Sequence, residues 1–180
     1  MLLKRLLYSA DKLLRYRAAE ATGQVSAVIA RRDQGSVSKF LQGLFTSVTD
    51  TAASSWGALD TIGEIVGRNP ALFSQYVPRL SLLARERSLL SEILRAMVRI
   101  GKIRPDLLGK ASYLGVTLLK DQDPQVRGQA AILLGNLRAV EAREDLKALL
   151  DDRCEVEVYE GGFLQIRTVG NLAYESLKSL

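Results

Sequence analysis

A glycine recurs along this sequence at nearly equal intervals, each time within the same local pattern. An alanine stands five positions before each glycine, and an aliphatic residue stands two positions after it. The glycines are separated by 40, 38 and 34 residues and lie at Gly23, Gly63, Gly101 and Gly135. A recurrence of this length is typical of stacked helical pairs, because one pair cannot bury its apolar face alone.

Apolar residues around each glycine follow the spacing of a buried helical face, at i, i+3 or i+4, and i+7. The small side chains on that face leave room for a neighbouring helix and are Ala18, Ala58, Ala96 and Ala130. A second apolar stripe follows each glycine, as in residues 37–48. We therefore predict an all-α fold, a right-handed α–α superhelix forming a single domain over residues 1–180. Its helix pairs are expected at about 11–50, 51–87, 88–121 and 122–151.

Two further positions of the repeat carry structural expectations. The position seven residues before the glycine holds Tyr16, Trp56 and Leu94 in the first three repeats, which predicts packing between repeats rather than a ligand cage. Pro78 falls inside an otherwise helical pattern. Because proline cannot donate a helical hydrogen bond, we expect a kink or a new helix there.

The end of the sequence departs from the repeat. Residues 155–159 alternate polar and apolar side chains, Gly161 and Gly162 supply a turn, and a second short apolar run follows at 163–166. This pattern predicts a β-hairpin. The apolar positions of the repeat then return at Val169, Ala173, Leu177 and Leu180. We therefore expect residues 152–180 to form a hairpin insertion followed by a helix that caps the stack.

Composition excludes several kinds of active site. The sequence has no histidine, which rules out Ser-His-Asp and Cys-His catalysis and histidine–metal sites. Its one cysteine, Cys154, can form neither an internal disulfide nor a multi-cysteine metal site. No stretch approaches the ~20 apolar residues that span a membrane. We expect a non-enzymatic protein without a cofactor or metal, in the reducing cytoplasm.

The most regular repeat lies at residues 121–150, DQDPQVRGQAAILLGNLRAVEAREDLKALL. Its marked positions are Asp121, Asp123, Val126, Arg127, Ala130, Ala131, Leu134, Gly135, Leu146, Leu149, Leu150 and, just beyond, Asp151. This pattern resembles a HEAT repeat of the bacterial type found in phycobilisome-lyase-like proteins. The second and third repeats depart from it, since the Val-Arg start is replaced by Ser54, Ser55 and Trp56 and by Glu92 and Ile93.

The resemblance implies a HEAT- or armadillo-like solenoid, and similar hairpins occur in HEAT-like bacterial proteins. Members of the family are mainly scaffolds and protein-binding modules, and a few are enzymes or enzyme subunits. A fold alone does not fix a function. The resemblance therefore implies a protein–protein interaction module first and a lyase-like enzyme subunit last.

Charged residues and the cysteine near the hairpin could form a site. In HEAT repeats, an arginine such as Arg127 with Asp121 and Asp123 ties neighbouring turns together, so we predict a structural role. Cys154 has no histidine to serve as its base, and we predict that it packs in the core or at the strand edge. The other acidic residues lack the spacing of an EF-hand and predict no metal site: Asp151, Asp152, Glu155, Glu157 and Glu160.

Charge is distributed unevenly along the chain. Residues 1–119 hold 17 basic and 9 acidic residues, a net charge of +8, whereas residues 120–180 hold 8 basic and 11 acidic, a net charge of −3. A basic surface attracts acidic partners, so binding of nucleic acid by the first two-thirds is the alternative function. It requires the cations to converge on one face, whereas the sequence spreads them over both helices of each pair.

The leading prediction is a scaffold that presents a rigid, curved helical surface to another protein. We expect the second helices of the pairs to line that surface. The partner and the oligomeric state stay open. The residues expected to point outward and to contact the partner are Lys39, Gln42, Arg79, Lys110 and Lys147.

Overall fold

The structure is a computed structural model that describes residues 2–50 and 55–180. The chain is mostly helical, with a small antiparallel hairpin near its C-terminus. The α-helices are α1 (Leu2–Leu6), α2 (Lys12–Ala30), α3 (Gln34–Asp50), α4 (Ala58–Arg68), α5 (Pro70–Phe73), α6 (Val77–Leu83), α7 (Leu90–Ile103), α8 (Ala111–Leu118), α9 (Pro124–Leu137), α10 (Arg143–Lys147) and α11 (Val169–Lys178). The strands are β1 (Glu155–Glu160) and β2 (Phe163–Thr168).

Short 3₁₀ segments join several of these helices, at Ser74–Tyr76, Arg87–Leu89, Pro105–Leu108 and Val140–Ala142. Among the described helices, none has the length and apolar character needed to cross a bilayer. Pro78 lies in the first turn of α6, directly after one such segment. The predicted new helix at this proline is therefore confirmed.

Five helices pack side by side in chain order and form what we call the long-helix row: α2, α4, α7, α9 and α11. Helix α4 packs between α2 and α7, and α9 packs between α7 and α11. We call the recurring glycines Gly23, Gly63, Gly101 and Gly135 the frame glycines, and the register that they define the glycine frame. The alanine five positions before each of them, like its counterpart in α11, is at most 3% exposed: Ala18, Ala58, Ala96, Ala130 and Ala173. These small side chains lie in the interior of the row and allow the helices to approach closely.

The frame glycines differ in how closely the next helix approaches them. A Cβ atom at Gly63 would lie 2.7 Å from the Ala96 Cα atom and 3.0 Å from its carbonyl oxygen. A Cβ atom at Gly101 would meet nothing nearer than 3.5 Å, where the Leu108 and Leu133 side chains lie. Only the first of these sites is therefore closed to a larger residue by a neighbouring backbone.

Two aspects of the repeat are not kept in the structure. Of the aliphatic residues two positions after the glycine, Ile65 is buried, but Val25 and Ile103 are exposed. In the slot seven positions before the glycine, Tyr16 and Leu94 are buried, as predicted, whereas Trp56 is exposed. Trp56 precedes α4 with a φ of 49° and lies outside any helix, but its ring contacts Arg15 of the preceding repeat at 5.5 Å.

The helices α3, α6, α8 and α10 pack against the row. The predicted stripe of α3 is confirmed as a buried face, which consists of Val37, Leu41, Leu44, Phe45 and Val48. The segments corresponding to the later second helices are shorter and are interrupted by 3₁₀ turns. The row is thus the continuous part of the fold, and the division into helix pairs stays a prediction.

The predicted hairpin and final helix are confirmed. Glu160 pairs with Phe163 across the Gly161–Gly162 turn, and both glycines have positive φ angles, as a tight two-residue turn requires. Val156 is buried, and α11 follows β2 directly, capped by the Thr168 hydroxyl, which accepts from the Asn171 amide.

Candidate binding cavity

The hairpin reaches back across the long-helix row to α2, near the start of the chain. The Tyr159 hydroxyl donates to Glu20 Oε2 at 2.6 Å, and the Tyr159 ring stacks on Tyr16 with centroids 5.2 Å apart. Lys12 Nζ bonds to Glu157 Oε2 at 2.7 Å. These contacts join residues about 140 positions apart, so the hairpin spans the row from its last helices to its first.

A cavity of about 410 Å³ lies between the hairpin and the row. Every helix of the row contributes to its wall, with polar side chains that include Glu20, Glu64, Arg68, Arg99, Gln129 and Glu175. None of the described residues of α3, α6, α8 or α10 lines it. The face that could receive a ligand is therefore built from the first helices of the predicted pairs, not from the second helices.

A network of buried charges supports one wall of the cavity. Asp60 is 1% exposed and receives two hydrogen bonds from Arg95, at 3.1 and 3.2 Å. Arg99 lies 3.1 Å from Glu64 and 3.8 Å from Asp60, and Arg68 donates to Glu64 at 3.1 Å. Because carboxylates and guanidinium groups alternate, each buried charge has an opposite charge beside it.

Aromatic rings extend this network to the hairpin. Arg95 lies over the Tyr16 ring at 5.2 Å, and Arg99 lies over the Tyr159 ring at 5.5 Å, so the two stacked tyrosines contact an arginine each. Burial, followed by the hydrogen bond to Glu20, raises the pKa of Tyr159 well above its ordinary value. Tyr159 therefore stays protonated and remains a donor to Glu20 at neutral pH.

Two polar groups in the cavity wall have no hydrogen-bond partner among the described residues. Gln129 is 2% exposed, and its side-chain amide makes no hydrogen bond there. Arg99 Nε is also buried without an acceptor, although the terminal nitrogens of Arg99 are engaged. A fully buried donor without an acceptor, such as Arg99 Nε, costs about 1–3 kcal/mol. The amide of Gln129 borders the cavity and keeps contact with its interior.

The residues that the sequence singled out for partner binding do not gather at this cavity. All five are exposed, and they lie on α3, on α6, immediately before α8, and on α10: Lys39, Gln42, Arg79, Lys110 and Lys147. Arg79 lies over the Phe45 ring at 4.6 Å, and Lys147 bonds to Glu144 at 2.8 Å. Their role in binding stays a prediction.

Arg127 links elements, as predicted, but through other partners. Its guanidinium group bonds to the Asp152 carboxylate at 2.7 and 2.9 Å and to the backbone carbonyl of Asp121 at 2.7 Å. The carboxylate of Asp121 is held instead by Arg87, which bonds to both of its oxygens. Arg127 therefore joins the start of α9 to the segment before β1.

Ion pairs engage much of the acidic cluster near the hairpin. Asp152 pairs with Arg127, Glu157 with Lys12, and Glu160 with Lys102. Within residues 2–50 and 55–180, no three acidic or cysteine side chains are grouped as a metal site requires. Cys154 is exposed, so it does not pack in the core, and it lies directly before β1, at the edge of the hairpin. Its backbone bonds to Asp152 and Val169, and its thiol interacts with Arg127 and Asp152.

Sequence reasoning missed the residues of the cavity wall, although the glycine frame contained a signal for them. In four of the five repeats, the position one residue after the glycine, or after Lys178 in the last helix, lines the cavity: Glu64, Lys102, Asn136 and Ser179. The position three residues before it also does so in four of five: Glu20, Val98, Ile132 and Glu175. Both positions face the same side of successive helices, because the frame fixes the rotation of each helix about its axis.

Two engineered proteins with crystal structures from the Northeast Structural Genomics Consortium are similar to this chain. The first has a TM-score of 0.60 at 18% identity, over 99% of this chain and 77% of the other. The second has a TM-score of 0.58 at 19% identity, over 99% of this chain and 46% of the other, so this chain spans about half its length. At these identities the likeness concerns the fold alone. No protein-family model and no curated protein matches the sequence.

Proposed function

We propose that this chain is a HEAT-like solenoid of the bacterial cytoplasm that acts as a non-enzymatic protein-interaction module. A segment of the partner protein enters the cavity between the hairpin and the long-helix row. The observation that carries the proposal is which residues form the cavity wall. Equivalent positions of successive helices line one cavity of about 410 Å³, a size within the range of known ligand sites.

The side chains of the cavity support a binding role rather than catalysis. A general base needs a group with a free lone pair near the reacting atom, and the chain has no histidine. The carboxylates of the wall are already bonded, since Glu20 accepts from Tyr159, Glu64 pairs with Arg68 and Arg99, Glu160 with Lys102 and Glu175 with Arg167.

Affinity capture with paired variants tests this proposal. Tagged wild-type protein, Lys102→Glu and Lys110→Glu are each used to capture proteins from the cells that naturally produce the chain, and the captured proteins are identified by mass spectrometry. Lys102 is an exposed residue of the cavity wall, and Lys110 is an exposed lysine that does not line the cavity. We expect Lys102→Glu to lose a partner that Lys110→Glu retains.

If Lys110→Glu loses a partner that Lys102→Glu retains, the partner binds outside the cavity, and the proposal is contradicted. Capture of the same proteins by both variants would contradict it as well. Glu175 is an exposed acidic residue of the wall, and Arg167 is its only ion-pair partner among the described residues. Reversing its charge therefore extends the test. Circular dichroism of each variant confirms that the fold is retained.

One observation favours nucleic acid as a second candidate. Exposed cations on α3, on α6 and before α8 have no carboxylate partner among the described residues, namely Lys39, Arg79 and Lys110. If they bind DNA or RNA, retention falls steeply as salt rises, because bound counterions are released from the phosphates. In that case Lys110→Glu weakens retention and Lys102→Glu does not. Absent or salt-insensitive retention eliminates this candidate.

A further inference from the structure

We infer that the cavity binds an extended peptide through its backbone, with the side-chain amide of Gln129 holding one of the peptide groups. This inference rests on the proposed function and specifies what part of the partner is recognised. It concerns the main chain of the partner rather than a charged side chain.

The first step concerns Gln129 itself. Its side chain is 2% exposed and lines the cavity, yet its amide makes no hydrogen bond to any described residue. An amide offers two donor hydrogens and an acceptor oxygen, and buried amides in proteins are nearly always paired. An apolar residue of similar size would fill the position without that loss. The position therefore carries a group suited to a ligand.

The second step is an interaction within the same helix. Gln125, one turn before Gln129 on α9, binds the backbone of β1 with both atoms of its amide. Its Nε2 donates to the Glu157 carbonyl at 2.9 Å, and its Oε1 accepts from the Glu157 amide at 3.1 Å. Residues four apart lie on the same face of a helix. Gln129 thus offers the same pair of bonds one turn further along α9.

The third step concerns the charge that the ligand carries. The only unpaired guanidinium nitrogen of Arg99 among the described residues is Nε, because Glu64 and Asp60 engage the terminal nitrogens. Five cations line the cavity, Arg68, Arg95, Arg99, Lys102 and Arg167. Five carboxylates oppose them, four in the wall and Asp60 beneath it: Glu20, Glu64, Glu160, Glu175 and Asp60.

Because these charges balance, a ligand carboxylate would meet arginines that already have acidic partners. A peptide group contains both the N–H and the C=O that a glutamine amide binds in two bonds. The unpaired amide of Gln129 therefore matches a main-chain segment better than an anion.

A random peptide library provides the probe. Phage-displayed 12-residue peptides are selected on the wild-type protein, and the affinity of an enriched synthetic peptide is measured by titration calorimetry. We expect Gln129→Leu to weaken binding on the order of tenfold or more, because two hydrogen bonds are lost. Gln42→Leu is the matched control, since Gln42 is an exposed glutamine on α3, outside the cavity, and we expect it to leave the affinity unchanged.

A second set of peptides tests the backbone contact. In copies of the selected peptide, one amide at a time is N-methylated. We expect one of them to bind the wild type on the order of tenfold more weakly, yet to bind Gln129→Leu as the unmethylated peptide does. Equal losses in both proteins, or no loss in either, would overturn the inference.

Thermal unfolding separates a ligand role from a structural one. Without peptide, we expect Gln129→Leu to unfold at the wild-type temperature or above, since an unpaired buried amide is replaced by an apolar group. A lower temperature would mean that the amide is satisfied within the folded protein, and would overturn the inference. If Gln129→Leu binds the peptide normally while Lys102→Glu does not, the inference fails but the proposed function stands. Failure of the proposed function appears instead in the capture experiment.

Discussion

The contrast between Gly63 and Gly101 makes the packing of the long-helix row measurable. Both glycines occupy the same position of the repeat, on α4 and α7, and both are buried within a helix. The same substitution, glycine to alanine, therefore gives a similar gain in helix propensity at each site, up to about 1 kcal/mol. What differs is the space that the new methyl group meets.

At Gly63 the methyl carbon would lie 2.7 Å from the Ala96 Cα atom, well inside the contact distance of about 3.5–4.0 Å between carbon atoms. The obstacle is the backbone of α7, so α4 and α7 must separate, and overpacking of this kind costs about 1–3 kcal/mol. At Gly101 the nearest atoms are side-chain methyl carbons at 3.5 Å, an ordinary contact. We expect Gly63→Ala to destabilise by about 1 kcal/mol and Gly101→Ala to stabilise by about 0.5 kcal/mol.

Urea unfolding and thermal unfolding of the two variants check this prediction. A domain of this size shifts by about 2–4 °C for each kcal/mol, so the two midpoints should differ by about 3–6 °C, with wild type between them. If both variants gain stability alike, α4 and α7 can separate freely, and the close approach at Gly63 does not constrain the fold. A loss of stability confined to Gly101→Ala would refute the reasoning altogether.

Two further predictions concern the hydrogen bond of Tyr159 to Glu20 and the ion pair of Arg87 with Asp121. Tyr159→Phe removes the donor to Glu20 and should cost about 1 kcal/mol in urea unfolding. The control Tyr16→Phe should cost nothing, because the Tyr16 hydroxyl makes no hydrogen bond to a described residue, and equal losses would contradict this. Hydrogen bonding by Arg87 lowers the pKa of Asp121 below its ordinary value of 3.8, so this stabilisation is present above that pH and is lost as pH falls through the lower, folded value. Arg87→Ala should flatten the loss of stability below about pH 4 in a series of urea titrations, and an unchanged slope would contradict it.

Local signals in the sequence predicted the elements well. The alternation at 155–159 and the paired glycines place the hairpin within two residues of its observed bounds, because strand period and turn chemistry are both local properties. The restart at Pro78 follows from the missing N–H of proline. The buried alanines of the frame, such as Ala96, follow from helical periodicity.

The cavity could not be predicted in the same way, because it depends on where the hairpin docks. Tyr159 meets Glu20 across 139 positions of the chain, and neither residue carries a local mark of that contact. The repeat also does not predict how exposed Trp56 is. Its ring contacts Arg15 of the preceding repeat, but the chain before α4 turns with a positive φ and leaves the side chain exposed.

The distribution of charge along the sequence also does not predict which charges are paired in the structure. The basic first part of the chain suggested a surface for acidic partners, yet Arg95, Arg99 and Arg68 are paired with carboxylates in the structure. Counting charges along a sequence does not reveal such pairing, because the carboxylate partners of Arg95 and Arg99 lie on the neighbouring helix α4.

The contact between the β-hairpin and α2 affects how the chain folds and unfolds. In an array whose units contact only their neighbours, the ends can melt independently and folding can start anywhere. Here the hairpin that precedes α11 is fastened to α2 through Tyr159, so α2 and the hairpin cannot separate without breaking that contact. The loop that must close before the contact forms is nearly the whole chain, and long-range contacts slow folding. The consequence is a chain that assembles late but melts as one cooperative unit.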